Sequence, residues 1–307
     1  MHARSIGLIA TLAVSMLASV APAPANDPPH LVIFTGTFGY RHGGISKMSA
    51  TIEHLAELTG AFTVERTEDP AAFTPALYAR ADAILFLQTT GAPPLTEAQR
   101  AAFLGSVACG DAFIGVHAAA DSGDWAGYTE LIGAKFAAHG HFGSLASYEE
   151  KVYEDAGHPG IAPIDADAPA LTEVTINVED QVSAATAPWH GRDTFRMSDE
   201  LYQYQESPRG KPGVNVLLSL DNESDYWPFA HQVPNPRVIL ASRSSAWFGY
   251  KDVTPIAWTK SYGAGRVFYT NLGHNPSTWD RPDFQQHLLG GIRWATEVRA
   301  DPSCISG

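Results

Sequence analysis

Histidine and carboxylate side chains recur in this sequence beside glycine and other small residues, in loops rather than inside apolar runs. His117-Ala118-Ala119-Ala120-Asp121 sets a histidine and an aspartate one helical turn apart, so both face one side if the segment turns helical. Gly115-Val116-His117-Ala118-Ala119 has the small-x-large-x-small form of a strand-to-helix elbow, the sharp turn that exposes one side chain. Hydrolases of that form carry Ser or Cys at the exposed point. An imidazole there opens no acyl-enzyme route, but with an ordinary pKa of about 6.5 it suits proton transfer or metal ligation.

Other groups invite the same question. Arg41-His42 ends a glycine-containing loop, and His274 follows Gly273. Asp199-Glu200 precedes Tyr202 and Tyr204; on a strand, Glu200, Tyr202 and Tyr204 share a face, where a carboxylate beside rings suits acid–base work and sugar stacking. The plain alternative is a half-buried edge strand. His139 and His141 are spaced as two metal ligands on an extended segment, and equally as two solvated residues. Trp125, Tyr128, Trp227 and Trp247 are rings that could face a sugar, although most aromatics in such a chain are core.

The elements that must position these groups read as alternating strands and helices. Leu31–Phe34, Phe62–Val64, Ala83–Leu87 and Ala112–Val116 are short apolar runs. Between them, Ile45, Met48, Ile52 and Leu55 form a helical stripe stopped by Gly60, and Thr96 with Gln99 forms a capping box for a helix ended by Gly110. Strands apolar on both faces and separated by helices imply a doubly wound, mainly parallel α/β sheet. In such sheets ligands bind beyond the carboxyl ends of the strands, which selects the loops at Gly39–Gly44, Gln88–Gly91 and His117–Asp121. Residues 143–240 read instead as a β-rich insertion, with strands at Leu171–Val178 and Val214–Leu220. A hairpin follows, Ile256–Trp258 and Arg266–Thr270 flanking Gly263-Ala264-Gly265, and a helix from Asp283 to Val298 closes the chain.

Composition narrows the function classes. The chain has 307 residues, 45% hydrophobic and 17% charged, and a formal charge of −13, which excludes a disordered chain and argues against nucleic acid. Met1 to Arg4 is a basic start, Ile6 to Val20 is apolar, and Ala23-Pro24-Ala25 is an A-x-A cleavage site. That order is a secretory signal peptide over residues 1–25, with an uncleaved anchor as the alternative. The expectation is a single domain, residues 26–307, exported to the periplasm and without stable membrane insertion. Cys109 and Cys304 sit in no CxxC or nucleophile motif; an exported chain can pair them, and a core of this size tolerates either state.

Taken in series, several blocks resemble the ThuA-like (trehalose-utilisation) family: Phe38-Gly39-Tyr40-Arg41-His42, Phe86–Gly91, Gly115–Asp121, Glu130–Ala134, Asp199–Tyr202, Ser207-Pro208-Arg209, Pro255–Trp258, Gly265–His274 and His287–Ile292. They span nearly all of the chain after residue 25. The resemblance implies a flavodoxin-like fold similar to class I glutamine amidotransferases without their catalytic cysteine, and a role in sugar catabolism linked to 3-keto glycosides. The chain departs from the family at His139-Gly140-His141, where His-Pro is usual, and around His190–Thr194.

The expectation is therefore a carbohydrate-active enzyme that cleaves a keto-glycoside by acid–base chemistry. His117, His42, Glu200 and His274 are the candidate catalytic groups, and Arg41, Asp121, Trp125, Tyr128, Tyr202 and Arg209 the candidate substrate contacts. A non-catalytic sugar-binding protein and a His-ligated, metal-dependent hydrolase are the alternatives. A divalent metal stays open as cofactor and no nucleotide cofactor is expected; the partner is a small carbohydrate. Because His117 sits among Gly115 and Ala118, its truncation is expected to cost little stability.

Overall fold

The computed structural model describes residues 27–123, 125–140, 174–221 and 254–299. The leader, His141, Trp227, Trp247, Cys304 and much of the expected insertion lie outside the described residues.

Nine strands form one sheet: β1 (His30–Phe34), β2 (Thr63–Thr67), β3 (Ala83–Leu87), β4 (Ala112–Val116), β6 (Val174–Val178), β7 (Thr194–Met197), β9 (Val214–Leu220), β10 (Thr254–Tyr262) and β11 (Gly265–Thr270). Two short strands, β5 (Phe136–Gly140) and β8 (Leu201–Tyr204), pair antiparallel beside it. The main sheet runs β2-β1-β3-β4-β11-β10-β9-β6-β7. Its first five strands are parallel, in the flavodoxin order with a switch point between β1 and β3. β10, β9, β6 and β7 continue it antiparallel, so β6, β7 and β9 of the middle third extend the main sheet while β8 pairs with β5 beside it.

Period-two alternation divides each parallel strand between two cores. On one face Leu31, Ile33, Leu85 and Ile114 meet α1 (Ile45–Thr59) and the closing helix α5 (Pro282–Thr296). On the other, Val32, Ile84, Phe86 and Phe113 meet α2 (Pro75–Tyr78), α3 (Glu97–Ala108) and α4 (Tyr128–Ile132). The capping box at Thr96 and Gln99 is formed in both directions, and Gly60 closes α1 with φ 60°. Two sequence readings shift. β2 is a half-exposed edge strand starting at Thr63 rather than Phe62. The hairpin turn is Gly263-Ala264, and Gly265 already belongs to β11.

The closing helix approaches its neighbours closely because Gly290 lets it. A Cβ at Gly290 would stand 2.1 Å from the Ala184 carbonyl oxygen, in the 3-10 turn Ala184–Trp189. Helix propensity alone favours Gly290→Ala by about 1 kcal/mol. We expect the clash to reverse that sign and destabilise the fold by about 1–3 kcal/mol, read by urea denaturation.

Candidate functional site

The carboxyl ends of β1, β3, β4 and β11 converge on three buried histidines. β4 ends at Val116, and the next residue, His117, adopts φ 48°, a left-handed conformation that costs a non-glycine residue about 1–3 kcal/mol. The flanking small residues explain how the elbow fits: a Cβ at Gly115 would lie 2.9 Å from the Tyr269 ring and 3.2 Å from Ala119. Three contacts hold the turn. The Tyr269 hydroxyl donates to the His117 carbonyl at 2.8 Å. The Tyr128 hydroxyl donates to the Ala119 carbonyl at 2.7 Å. The imidazole Nδ1 lies 2.7 Å from the Asn271 carbonyl oxygen.

That last bond fixes the tautomer of the neutral ring, because a carbonyl only accepts: Nδ1 carries the proton and Nε2 is turned toward His274 and Glu200. Nε2 stands 3.2 Å from His274 Nδ1 and 3.4 Å from Glu200 Oε1. Glu200 Oε1 is also 3.5 Å from His274 Nδ1. The His42 ring closes the group, with its centroid 5.6 Å from that of His117 and 5.1 Å from that of His274. All four side chains are buried.

Asp199 sets the loop that carries His274. Its buried carboxylate accepts from the backbone N–H groups of Gly273 at 2.7 Å and Asn275 at 2.9 Å, and from the Thr278 hydroxyl at 3.1 Å. The two amides flank His274 on both sides. Gln88, with φ 55° at the end of β3, donates to the Gly273 carbonyl at 2.7 Å. Asn271 donates through its amide to the Tyr204 hydroxyl at 2.9 Å and the Tyr202 carbonyl at 3.2 Å. Asp199, Asn271, Gln88 and Tyr269 were not among the expected site residues. The first three could have been found by reading every loop at a strand's carboxyl end; the Tyr269 contact depends on tertiary packing.

Burial and charge oppose each other here. Burial works against the charged His117 ring, but the Glu200 hydrogen bond and charge, the Asp199 charge and the Asn271 carbonyl outweigh it and raise its pKa. Burial pushes Asp121 up to about 6, against the charges of His117 and Lys135. Burial also raises Asp199, against its hydrogen bonds and His117.

The expected contacts divide. Tyr202 lies against His117, ring centroids 4.2 Å apart. Asp121 is half-buried within the electrostatic reach of His117. Arg41, beside His42, is exposed and pairs with Glu68 at 2.8 Å. Trp125 and Tyr128 are not sugar-facing: they stack on each other at 4.8 Å inside the aromatic core with Phe86 and Phe103, so both belong to the interior. Arg209 is also displaced. It grips Glu179 through both terminal nitrogens, next to the end of β6, three strands and roughly 14 Å across the sheet from β11. His139 falls in β5, its backbone paired with Tyr202. His117 itself is wholly buried and doubly bonded, so the expected low stability cost of truncating it does not hold.

Chemically, the arrangement can hold and pass protons among Nε2 of His117, Nδ1 of His274 and Glu200. It can also ligate: one atom from each of His42, His117 and His274 lies within 4.8 Å of the others. Three imidazoles, one braced through its second nitrogen by a carbonyl, are a donor set that suits a zinc-like divalent cation.

An open α/β sheet of flavodoxin order, with its polar site at the carboxyl ends on both sides of the switch point, defines the class of this protein. Comparison with known proteins narrows it. The family model described as ThuA, trehalose utilisation, matches residues 30–295, and the chain belongs to that family. A ThuA-like protein of Bacteroides uniformis shares 21% identity and a TM-score of 0.57, over 90% of this chain and 95% of that one. A second, from Parabacteroides merdae, shares 15% identity and a TM-score of 0.58, over 88% and 90%. No curated protein matches the sequence.

The coupling between His117 and Glu200 is measurable. Glu200→Gln removes the largest group of interactions that raises the imidazole pKa, so that pKa should fall, read by NMR titration of chelator-treated protein. A raised histidine pKa contributes stability that is fully present below its unfolded value and lost as pH rises through the folded value. The variant should therefore lose more stability at acid than at alkaline pH relative to the parent.

Proposed function

We propose that the histidine pocket is the catalytic site of a carbohydrate-active enzyme that cleaves a keto-glycoside, such as a 3-keto-disaccharide, by acid–base chemistry. Family membership supports the sugar-related role. The observation that carries the chemistry is the pinned Nδ1 of His117, which leaves Nε2 facing the pocket beside Glu200 and His274. A ketone at C3 acidifies the hydrogen at C2. His117 Nε2 takes that proton, the electrons form the enolate, and the C1 substituent leaves as the C1–O bond breaks. Glu200 or His274 protonates the departing oxygen, and water then adds to the resulting enone. Hydrogen-bond donors in the pocket stabilise the enolate oxygen.

A second reading is favoured by the mutual approach of His42, His117 and His274. These three would hold a divalent cation, whose chemistry would be to polarise the keto oxygen. Glu200 would then hold the proton that moves between substrate and leaving group.

One experiment separates these readings. NMR of untagged protein with native and 3-keto disaccharides, with and without chelator, should reveal loss of the C1 substituent from the keto sugar alone. His117→Ala should lower turnover by about 10²–10⁴-fold, with the volume-retaining His117→Gln as control for folding. Turnover that survives chelation supports the proton-transfer reading; a bound metal lost together with turnover in His117→Ala supports the metal reading. If neither sugar is altered, the enzymatic reading fails.

We also infer export to the periplasm, on the order of basic, apolar and A-x-A segments before Asn26. Cys109 is disulfide-bonded, the state that oxidising compartments maintain. Intact-mass analysis of exported protein should give a chain beginning at Asn26; retention of residues 1–25 would count against this inference.

A further inference from the structure

The loop leaving β1 carries an observation that the proton chemistry does not use. Among the described residues only four large hydrophobic side chains are exposed, and the two aromatic ones are neighbours in this loop: Phe38 at 43% and Tyr40 at 42%. Burying such rings is ordinarily favourable. The loop is nevertheless firmly set. The N–H groups of Phe38 and Gly39 both donate to the Thr90 carbonyl, at 2.7 and 2.9 Å. Beneath them Gly91 makes so close an approach, with φ 77°, that a Cβ there would stand 2.7 Å from the Gly39 nitrogen. The backbone thus presents the two rings rather than letting them collapse inward.

Their position ties them to the pocket. The Tyr40 ring meets the His42 ring edge-on at 4.9 Å, and His42 in turn meets His117 and His274. An exposed aromatic surface therefore abuts the wall of a buried polar site. Exposed apolar patches rimmed by polar groups mark ligand or partner sites, and a ring face with an apolar body complements the C–H face of a pyranose. Water-exposed rings also suit a ligand portion that stays outside the buried cluster.

We propose that Phe38 and Tyr40 form a stacking platform for a second sugar ring, the one that departs when the glycosidic bond at the histidine pocket is broken. The proposal rests on the reading of that pocket as a glycoside site. It makes the protein selective for disaccharides over monosaccharides, because only a disaccharide reaches both the imidazoles and the platform.

Calorimetric titration of the full chain with α,α-trehalose, maltose and glucose tests this, using unoxidised sugars that the keto-dependent reaction leaves intact. The parent should bind a disaccharide more tightly than glucose. Phe38→Ala/Tyr40→Ala should weaken disaccharide binding about 10- to 100-fold and change glucose binding less than about threefold. Both positions are exposed, so the thermal midpoint of the variant should stay at or above that of the parent, which checks folding. Equal disaccharide affinity in parent and folded variant would overturn the platform while leaving the pocket reading intact. A parent that binds none of the three sugars would overturn the platform; turnover of the keto sugar is what tests the pocket reading. Should the double variant unfold, single Phe38→Leu and Tyr40→Leu variants carry the same comparison, and unchanged disaccharide affinity in both would again overturn the platform.

Discussion

An imidazole taken wholly out of water needs a partner for each ring nitrogen, since an unpaired buried polar group costs about 1–3 kcal/mol. At His117 that requirement organises the site. Nδ1 is satisfied only because β11 lies next to β4 and its outgoing chain returns the Asn271 carbonyl to the end of β4. The amide of the same asparagine reaches the Tyr202 carbonyl and the Tyr204 hydroxyl, which brings β8 over the ring. Tyr269 then holds the His117 carbonyl, and the strained elbow is fixed from three directions. One desolvated ring thus ties together elements far apart in the chain, and Nε2 is the nitrogen left for His274 and Glu200.

A five-strand flavodoxin core would supply His42, Gln88, His117 and the loop after β11, all from carboxyl ends of parallel strands. It would not supply a carboxylate between His117 and His274. That comes from the middle third, where β7 ends at Met197 and the chain crosses to β8 through Asp199 and Glu200. Asp199 is consumed in holding the backbone on each side of His274, while its neighbour Glu200 reaches two imidazoles. Adjacent carboxylates thereby divide the work: one fixes where a histidine stands, the other sets its charge.

Much of this was legible in the sequence wherever a local rule decides the outcome. The runs Ala83–Leu87 and Ala112–Val116 coincide with β3 and β4, and the capping box at Thr96 is formed, because burial on both faces and a satisfied N-terminus leave strong local marks. The loops at strand carboxyl ends led to His42, His117 and His274 for the same reason. Trp125 and Tyr128 stand in the aromatic core, a placement the sequence does not reveal because an aromatic ring looks alike in a core and in a sugar site. The stacking of the two rings among Phe86 and Phe103, and the elbow carbonyl that the Tyr128 hydroxyl meets, mark them as interior. The Arg209–Glu179 pair was not legible because charge pairing depends on which strands lie side by side, and Glu179 is brought to it by the β6–β9 pairing. The low packing inferred for His117 failed similarly: its small neighbours in sequence make room for rings from β8 and β11.

The electrostatics of the cluster make its two chemical readings compete for a single atom. Burial raises the carboxyl pKa values of Asp199 and Asp121, and carboxylate neighbours outweigh burial at His117, so all three groups hold their protons more tightly than they would in water. Asp121, pushed up to about 6, falls in the range where a carboxyl can hold or release a proton near neutral pH. A cation at the histidines needs Nε2 of His117 bare, and a raised pKa means the proton contests that position. Glu200 decides the contest. As an anion it favours the imidazolium; beside a bound cation its charge would offset the positive charge brought into the same buried space. The carboxylate that raises the His117 pKa therefore also sets how strongly a metal would have to bind to displace its proton.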